Sequence, residues 1–182
     1  SSYIDNQTNQ YIWRVQMPAI KETKIEVKKM PEKHVAYVRH IGPYKGDGEL
    51  FGELIGKLMR WAGPRNLLQF PETEMLNVYH DDPNVTDEEN LRLSVCITVP
   101  ESTKVDGEIG KMKIEAGEYA IAYFELKEDQ FEEAWKLVMG KWLPQSGYQP
   151  DDRPCFEQCL NDPNEHPEKL HLINICVPVR PL

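Results

Sequence analysis

Nothing in the sequence approaches the roughly 20 consecutive apolar residues of a membrane helix. The opening Ser-Ser-Tyr-Ile-Asp has neither the basic end nor the apolar centre of a secretory leader, so a cytoplasmic location is expected. Positive charge is also in short supply. Against 30 Asp and Glu stand 21 Lys and Arg, a net charge of −9. A surface of that sign does not grip DNA or RNA by itself, because such binding rests on neutralising phosphates. Only four cysteines occur, at 96, 155, 159 and 176, with no C-x-x-C pair and no histidine at zinc-finger spacing. They are expected to be reduced core thiols, and neither metal nor cofactor is expected. A Ser-His-Asp set and a Gly-rich phosphate loop are missing as well. His80 beside Asp81 and Asp82, His166 and His171 read as loop and strand residues rather than metal ligands.

What is present is an ordinary globular composition, 40% hydrophobic and 28% charged. Residues 1–20 are rich in Asn and Gln and read as an arm or interdomain linker, with Trp13 docking part of it. Residues 21–182 read as one domain. Alternation marks strands from Lys24 through Val27 and at 35–39, and Gly42-Pro43 interrupts them. A helix follows from Asp47 to Ala62, its stripe formed by Leu50, Phe51, Leu54, Ile55, Leu58 and Met59. Strands at 74–80 and 92–99 flank an acidic loop.

The order then recurs. Strands are expected at 111–114 and 119–124. A helix capped by Asp129 follows, burying Phe131, Trp135, Val138 and Trp142, and strands at 153–161 and 170–177 close the chain. Val35-Ala36-Tyr37-Val38 aligns with Tyr119-Ala120-Ile121-Ala122, and Trp61 aligns with Trp142. Asp82-Pro83-Asn84 and Asp162-Pro163-Asn164 match residue for residue. Two strand-helix-strand-strand units, about 24–100 and 111–180, predict an α+β fold. Its antiparallel-rich sheet would carry both helices on one face and leave a ligand groove on the other.

One stretch stands out. In Arg153 to Asp162 a carboxylate, Glu157, sits mid-strand among Cys, Phe and Leu, where a charge is costly unless paired, hydrated or used. Alternation puts Cys155, Glu157 and Cys159 on one face and Phe156, Gln158 and Leu160 on the other. The repeat aligns the first set with Met75, Asn77 and Tyr79. Leu76, Val78, Phe156 and Leu160, being more apolar, are expected under the helices. So are Ala36, Val38, Ala120 and Ala122, which turns Tyr37, Tyr119 and Tyr123 toward the groove. The expected site is thus an aromatic cleft around Glu157. Such a cleft suits a flat, lipophilic and often cationic molecule.

The stretch Val-Ala-Tyr-Val-Arg-His-Ile-Gly-Pro-Tyr at 35–44, Gly117-Glu118-Tyr119-Ala120, and Arg153-Pro154-Cys155-Phe156-Glu157 with Asp162 carry a resemblance. Over residues 22–182 the chain resembles the GyrI-like small-molecule-binding domain. That module follows the DNA-binding part of AraC-type and multidrug-responsive bacterial regulators. The resemblance implies a duplicated fold and a central acid, matched by Glu157, that meets cationic or drug-like ligands. Cys159 departs from the aromatic expected at its position.

The expected function is therefore effector binding for a bacterial transcription regulator, DNA being touched only by a separate helix-turn-helix domain. A binding module is expected rather than an enzyme. The alternative is a stand-alone hydrolase of electrophilic small molecules, with Glu157 as general base and Tyr79 or Tyr119 as leaving-group donor. A protein-binding module acting through the acidic surface is a third possibility. Ligand contacts are expected from Glu157, Tyr79, Asn77, Met75, Tyr37, Tyr119, Tyr123, Cys155, Cys159 and Trp142.

Overall fold

A computed structural model describes residues 2–5, 10–17 and 20–182. The described residues form a mostly antiparallel arrangement of eleven strands with two α-helices. The chain opens with strands β1 (Ser2–Asp5), β2 (Gln10–Met17), β3 (Ile20–Met30) and β4 (Lys33–Ile41). Helix α1 (Gly48–Ala62) precedes β5 (Met75–Tyr79), β6 (Arg92–Thr98), β7 (Ile109–Ile114) and β8 (Gly117–Leu126). Helix α2 (Phe131–Lys136) leads to β9 (Tyr148–Pro150), β10 (Cys155–Cys159) and β11 (His171–Pro181).

Two compact units divide the chain. The first holds residues 1–30, 117–153 and 157–182, the second residues 31–116 and 154–156. In the second unit the strands run β5-β6-β4-β7, with Ala36 opposite Ile97 and Val38 opposite Val95. Their face forms one core with Leu54, Leu58, Trp61 and Ala62 of α1. The helix starts where the periodicity indicates. Asp47 caps it, its carboxylate accepting the Leu50 N–H at 3.0 Å. At its far end the Gly63 N–H reaches Met59 O.

In the first unit the order is β1-β2-β3-β8-β11, with β10 beside β11 and β9 pairing the end of β11. The described part of the Asn- and Gln-rich start is strand rather than linker. Ile12 to Val15 pair with Thr23 to Glu26, which extends the sheet by a hairpin. Helix α2 also differs from expectation. It begins at Phe131 after Gln130, and no side chain caps it. The Gln130 amide oxygen instead accepts the Lys127 N–H. Beyond Lys136 the backbone widens into a π-helical turn, Leu137–Trp142, then tightens into a 3-10 turn, Leu143–Gln145. Both Asp-Pro-Asn stretches fold alike, each aspartate accepting the N–H two residues on, at 2.8 Å for Asp82 and 2.9 Å for Asp162.

Candidate functional site

Glu157 is the most unusual side chain of the first unit, a carboxylate only 2% exposed. Phe156, Glu157 and Gln158 are all buried in succession, so both faces of β10 are covered. The Leu160 N–H bonds Leu172 O at 2.9 Å, and the Asn174 amide donates to Gln158 Oε1 at 3.0 Å. Together these set β10 against β11 so that Glu157 lies opposite Ile175. Ile175 pairs with Ala122, Ala122 with Ile25, and Ile25 with Trp13. One cross-strand row therefore runs Trp13, Ile25, Ala122, Ile175, Glu157.

The helical run from Phe131 to Gln145 covers this row. The Trp135 indole N–H donates to Glu157 Oε2 at 2.7 Å. Phe131 meets the ring of His171, which shares a face with Ile173 and Ile175, at a centroid distance of 5.2 Å. Trp142 packs edge-on against Trp13 at 5.2 Å. Glu157 is thus on the helix-covered face, the reverse of the expected side. Alternation could not decide this, because Phe156, on the other face of β10, is as deeply buried. When both sides of a strand are covered, the more apolar set does not mark the helix side.

Tyr37, Tyr119 and Tyr123 keep the face expected of them, away from the helices, and it is Glu157 that is separated from them. Tyr119 and Tyr123 alternate with Ala120 and Ala122 and so face away from Glu157. Tyr119 is buried beneath the Arg153 guanidinium, 4.5 Å from its ring centroid. Tyr123 is 39% exposed and donates to Glu125 Oε1 at 3.1 Å. In the second unit Tyr37 lies opposite Cys96, on the face away from α1, with Arg39 stacked at 4.6 Å. Met75, Asn77 and Tyr79 occupy the α1 face of that unit, where Met75 and Tyr79 pack on its core and Tyr79 meets Tyr44 at 5.4 Å. Leu160, expected under a helix, is half exposed.

Cys155 and Cys159 share the parity of Glu157, and all four cysteines are free thiols. Burial pushes Cys159 up to about 12, helped by the Glu157 charge, and pushes Cys155 to about 12, helped by Asp82. Neither thiol is a nucleophile at neutral pH. Among the described residues no group of three or more His, Cys, Asp or Glu could hold a metal ion.

Sequence reasoning placed Trp135 in the core and missed its contact with Glu157. A signal existed: a packed indole needs an acceptor, and the one carboxylate predicted inside an apolar strand is Glu157. Glu157 is thus a carboxylate withdrawn from water that accepts from a neutral donor on a short helix. Replacing the indole with a cation turns a bond from a neutral donor into a charge pair in a low-dielectric setting.

The second unit carries a separate titrating cluster. His80 Nε2 lies 2.8 Å from Ser94 Oγ, and that hydroxyl oxygen accepts from Arg39 Nε at 3.1 Å. Burial, then Arg39 and Arg92, lowers His80 to about 4, against a smaller opposing pull from Asp81. The folded state thus resists the proton that the unfolded chain takes up near 6.5. Stability associated with His80 is complete above pH 6.5 and declines as pH falls toward 4. Replacing His80 by Asn should flatten the urea-midpoint profile between pH 6.5 and 4. An unchanged slope would remove His80 from that role.

Residues 23–180 match the family model described as GyrI-like small molecule binding domain. The chain is similar to DNA gyrase inhibitor 2 of Dickeya dadantii (strain 3937), 32% identical over 136 residues, 72% of this chain and 82% of that protein. In fold it is similar to the EcmrR C-terminal domain, with a TM-score of 0.73 at 21% identity, covering 88% of this chain and 99% of that one. It spans 58% of the EcmrR chain solved in complex with DNA. SAV2435 bound to tetraphenylphosphonium also matches in fold, with a TM-score of 0.61 at 8% identity over 86% of this chain and 93% of that one.

Proposed function

The chain belongs to the GyrI-like small-molecule-binding domain family, and on that footing we propose that it binds a lipophilic cation against Glu157 as the effector-sensing part of a bacterial transcription regulator. The observation that carries this reading is the buried Glu157 carboxylate held by the Trp135 indole. Burying a charge is expensive, and an apolar cation that brings its own positive charge relieves that cost while filling an apolar site.

The covering helix supplies the means of entry. Six residues of α-helix do not sustain themselves in isolation, so α2 persists through its contacts. The π-helical turn that follows is a rare geometry often found at functional sites. A ligand that takes over Glu157 from Trp135 releases one of those contacts and shifts the run as a whole. Coupling to an attached DNA-binding domain then follows from unequal ligand affinity for the two positions. The strand-helix-strand-strand order in each unit fits descent from one duplicated module.

Calorimetric titration with tetraphenylphosphonium tests the reading. Saturable 1:1 binding supports it, and no heat of binding up to millimolar ligand defeats it. Trp135→Phe retains the ring and removes the donor, so the ligand no longer displaces a hydrogen bond. Affinity should rise roughly tenfold or more, since a hydrogen bond to a charged group contributes about 1.5–3 kcal/mol. A fall in affinity would mean that the indole holds the ligand rather than the empty site.

The hydrolase alternative needed Tyr79 or Tyr119 as proton donor. Tyr119 faces away from Glu157 beneath Arg153, which leaves the binding role favoured. A second reading rests on the 32% identity with a DNA gyrase inhibitor, namely that this acidic chain antagonises a topoisomerase. Loss of supercoiling activity on adding the chain to gyrase would support it.

A further inference from the structure

Trp61 and Trp142 occupy matching places, Trp61 in the last turn of α1 and Trp142 at the end of the π-helical turn, yet their indoles are treated differently. The Trp61 N–H donates to Asp106 Oδ1 at 2.9 Å. Arg65 lies over the Trp61 ring at 4.9 Å and also reaches Asp106, at 3.4 Å. In the second unit, then, the indole has a carboxylate built in. Trp142 is 4% exposed, and among the described residues its N–H meets no acceptor. A buried donor left unmet is uncommon and calls for an explanation.

Its position supplies one. Trp142 ends the π-helical turn and packs on Trp13, the far end of the row that finishes at Glu157. Floor and roof correspond: Trp13 to Glu157 below, Trp142 to Trp135 above. Between the ends the floor is Ile25, Ala122 and Ile175, all apolar and fully buried, and Ala134 and Val138 of the covering run are fully buried as well. Four strand spacings separate the two ends, roughly 19 Å between backbones, and the side chains shorten that span.

We propose that this site takes an elongated two-headed molecule, with a cationic group at Glu157 and a hydrogen-bond acceptor, a carboxylate or carbonyl oxygen, at the Trp142 N–H. The inference rests on Glu157 being the counter-charge, as in the preceding reading, and adds the second anchor. Asp106 indicates which chemistry satisfies an indole at this place in the fold. The ligand brings to the first unit the oxygen that the second unit carries in its own chain.

A matched pair of compounds tests it. Pentyltriphenylphosphonium and (4-carboxybutyl)triphenylphosphonium differ in the terminal carboxylate alone. Titrated into wild type and Trp142→Phe, the carboxylate compound should lose roughly tenfold in affinity, as for a hydrogen bond to a charged group. The pentyl compound should change less than twofold. Equal weakening of both compounds, or of neither, overturns the proposal. Should Trp142→Phe fail to fold, benzothienylalanine at 142 keeps the bicyclic shape while sulfur replaces the N–H, and the same comparison applies. Glu157→Gln separates the two readings. If it weakens both compounds while Trp142→Phe spares both, the second anchor falls and the cation site stands. If Glu157→Gln weakens neither, the cation site itself falls.

Discussion

Replacing Glu157 by glutamine weakens tetraphenylphosphonium binding by at least tenfold without loosening the fold. Glutamine matches glutamate in shape, and its carbonyl oxygen still accepts the Trp135 N–H that Glu157 Oε2 accepts at 2.7 Å. The protein therefore keeps the local hydrogen bond and loses the negative charge. A partly desolvated charge pair contributes about 1.5–3 kcal/mol to binding, a factor of roughly 10 to 150. Glutamine carries no charge to desolvate at this buried position, so the melting temperature should hold or rise. Affinity within twofold of wild type would show that cations bind elsewhere. A large fall in melting temperature would show that the carboxylate is a structural tie.

Phe124→Ala should destabilise the protein by about 3–5 kcal/mol with little direct effect on the carboxylate. Phe124 is 1% exposed in β8, opposite Ile173 of β11, in the layer that α2 covers. Alanine there leaves a ring-sized cavity between strands whose neighbours Ala120 and Ala122 have no side chain to fill it. Urea unfolding would read the loss as a lower midpoint at nearly unchanged slope. Phe131, on the same buried stripe by sequence periodicity, is only half-buried, and its alanine variant should cost clearly less. Equal losses at 124 and 131 would mean that burial in the folded state does not rank these positions.

Much of this organisation was legible beforehand. The α1 stripe from Leu50 to Met59, its Asp47 cap, the two Asp-Pro-Asn turns and the strand around Glu157 all follow from local rules that act within a few residues. Helix α2 was read less well. Asp129 offered a capping residue by type, but Gln130 satisfies the Lys127 N–H at that turn, and the following π-helical turn has no signature in residue spacing. The N-terminal strands were missed because their polar, Asn-rich composition favours loops, and pairing with β3 overrides that preference.

By itself the sequence determined the strand-helix-strand-strand order of each unit and the grouping of Glu157 with Cys155 and Cys159 on one strand face. It also placed a lone acid among apolar neighbours. Only the tertiary structure decided which face the helix covers, and hence that Glu157 meets Trp135 rather than Tyr119 or Tyr123. The reason is physical. Alternation along a strand separates two faces but is symmetric between them, and with Phe156 and Glu157 both buried, composition does not break the symmetry. The packing of α2 across the row from Trp13 to Glu157 does.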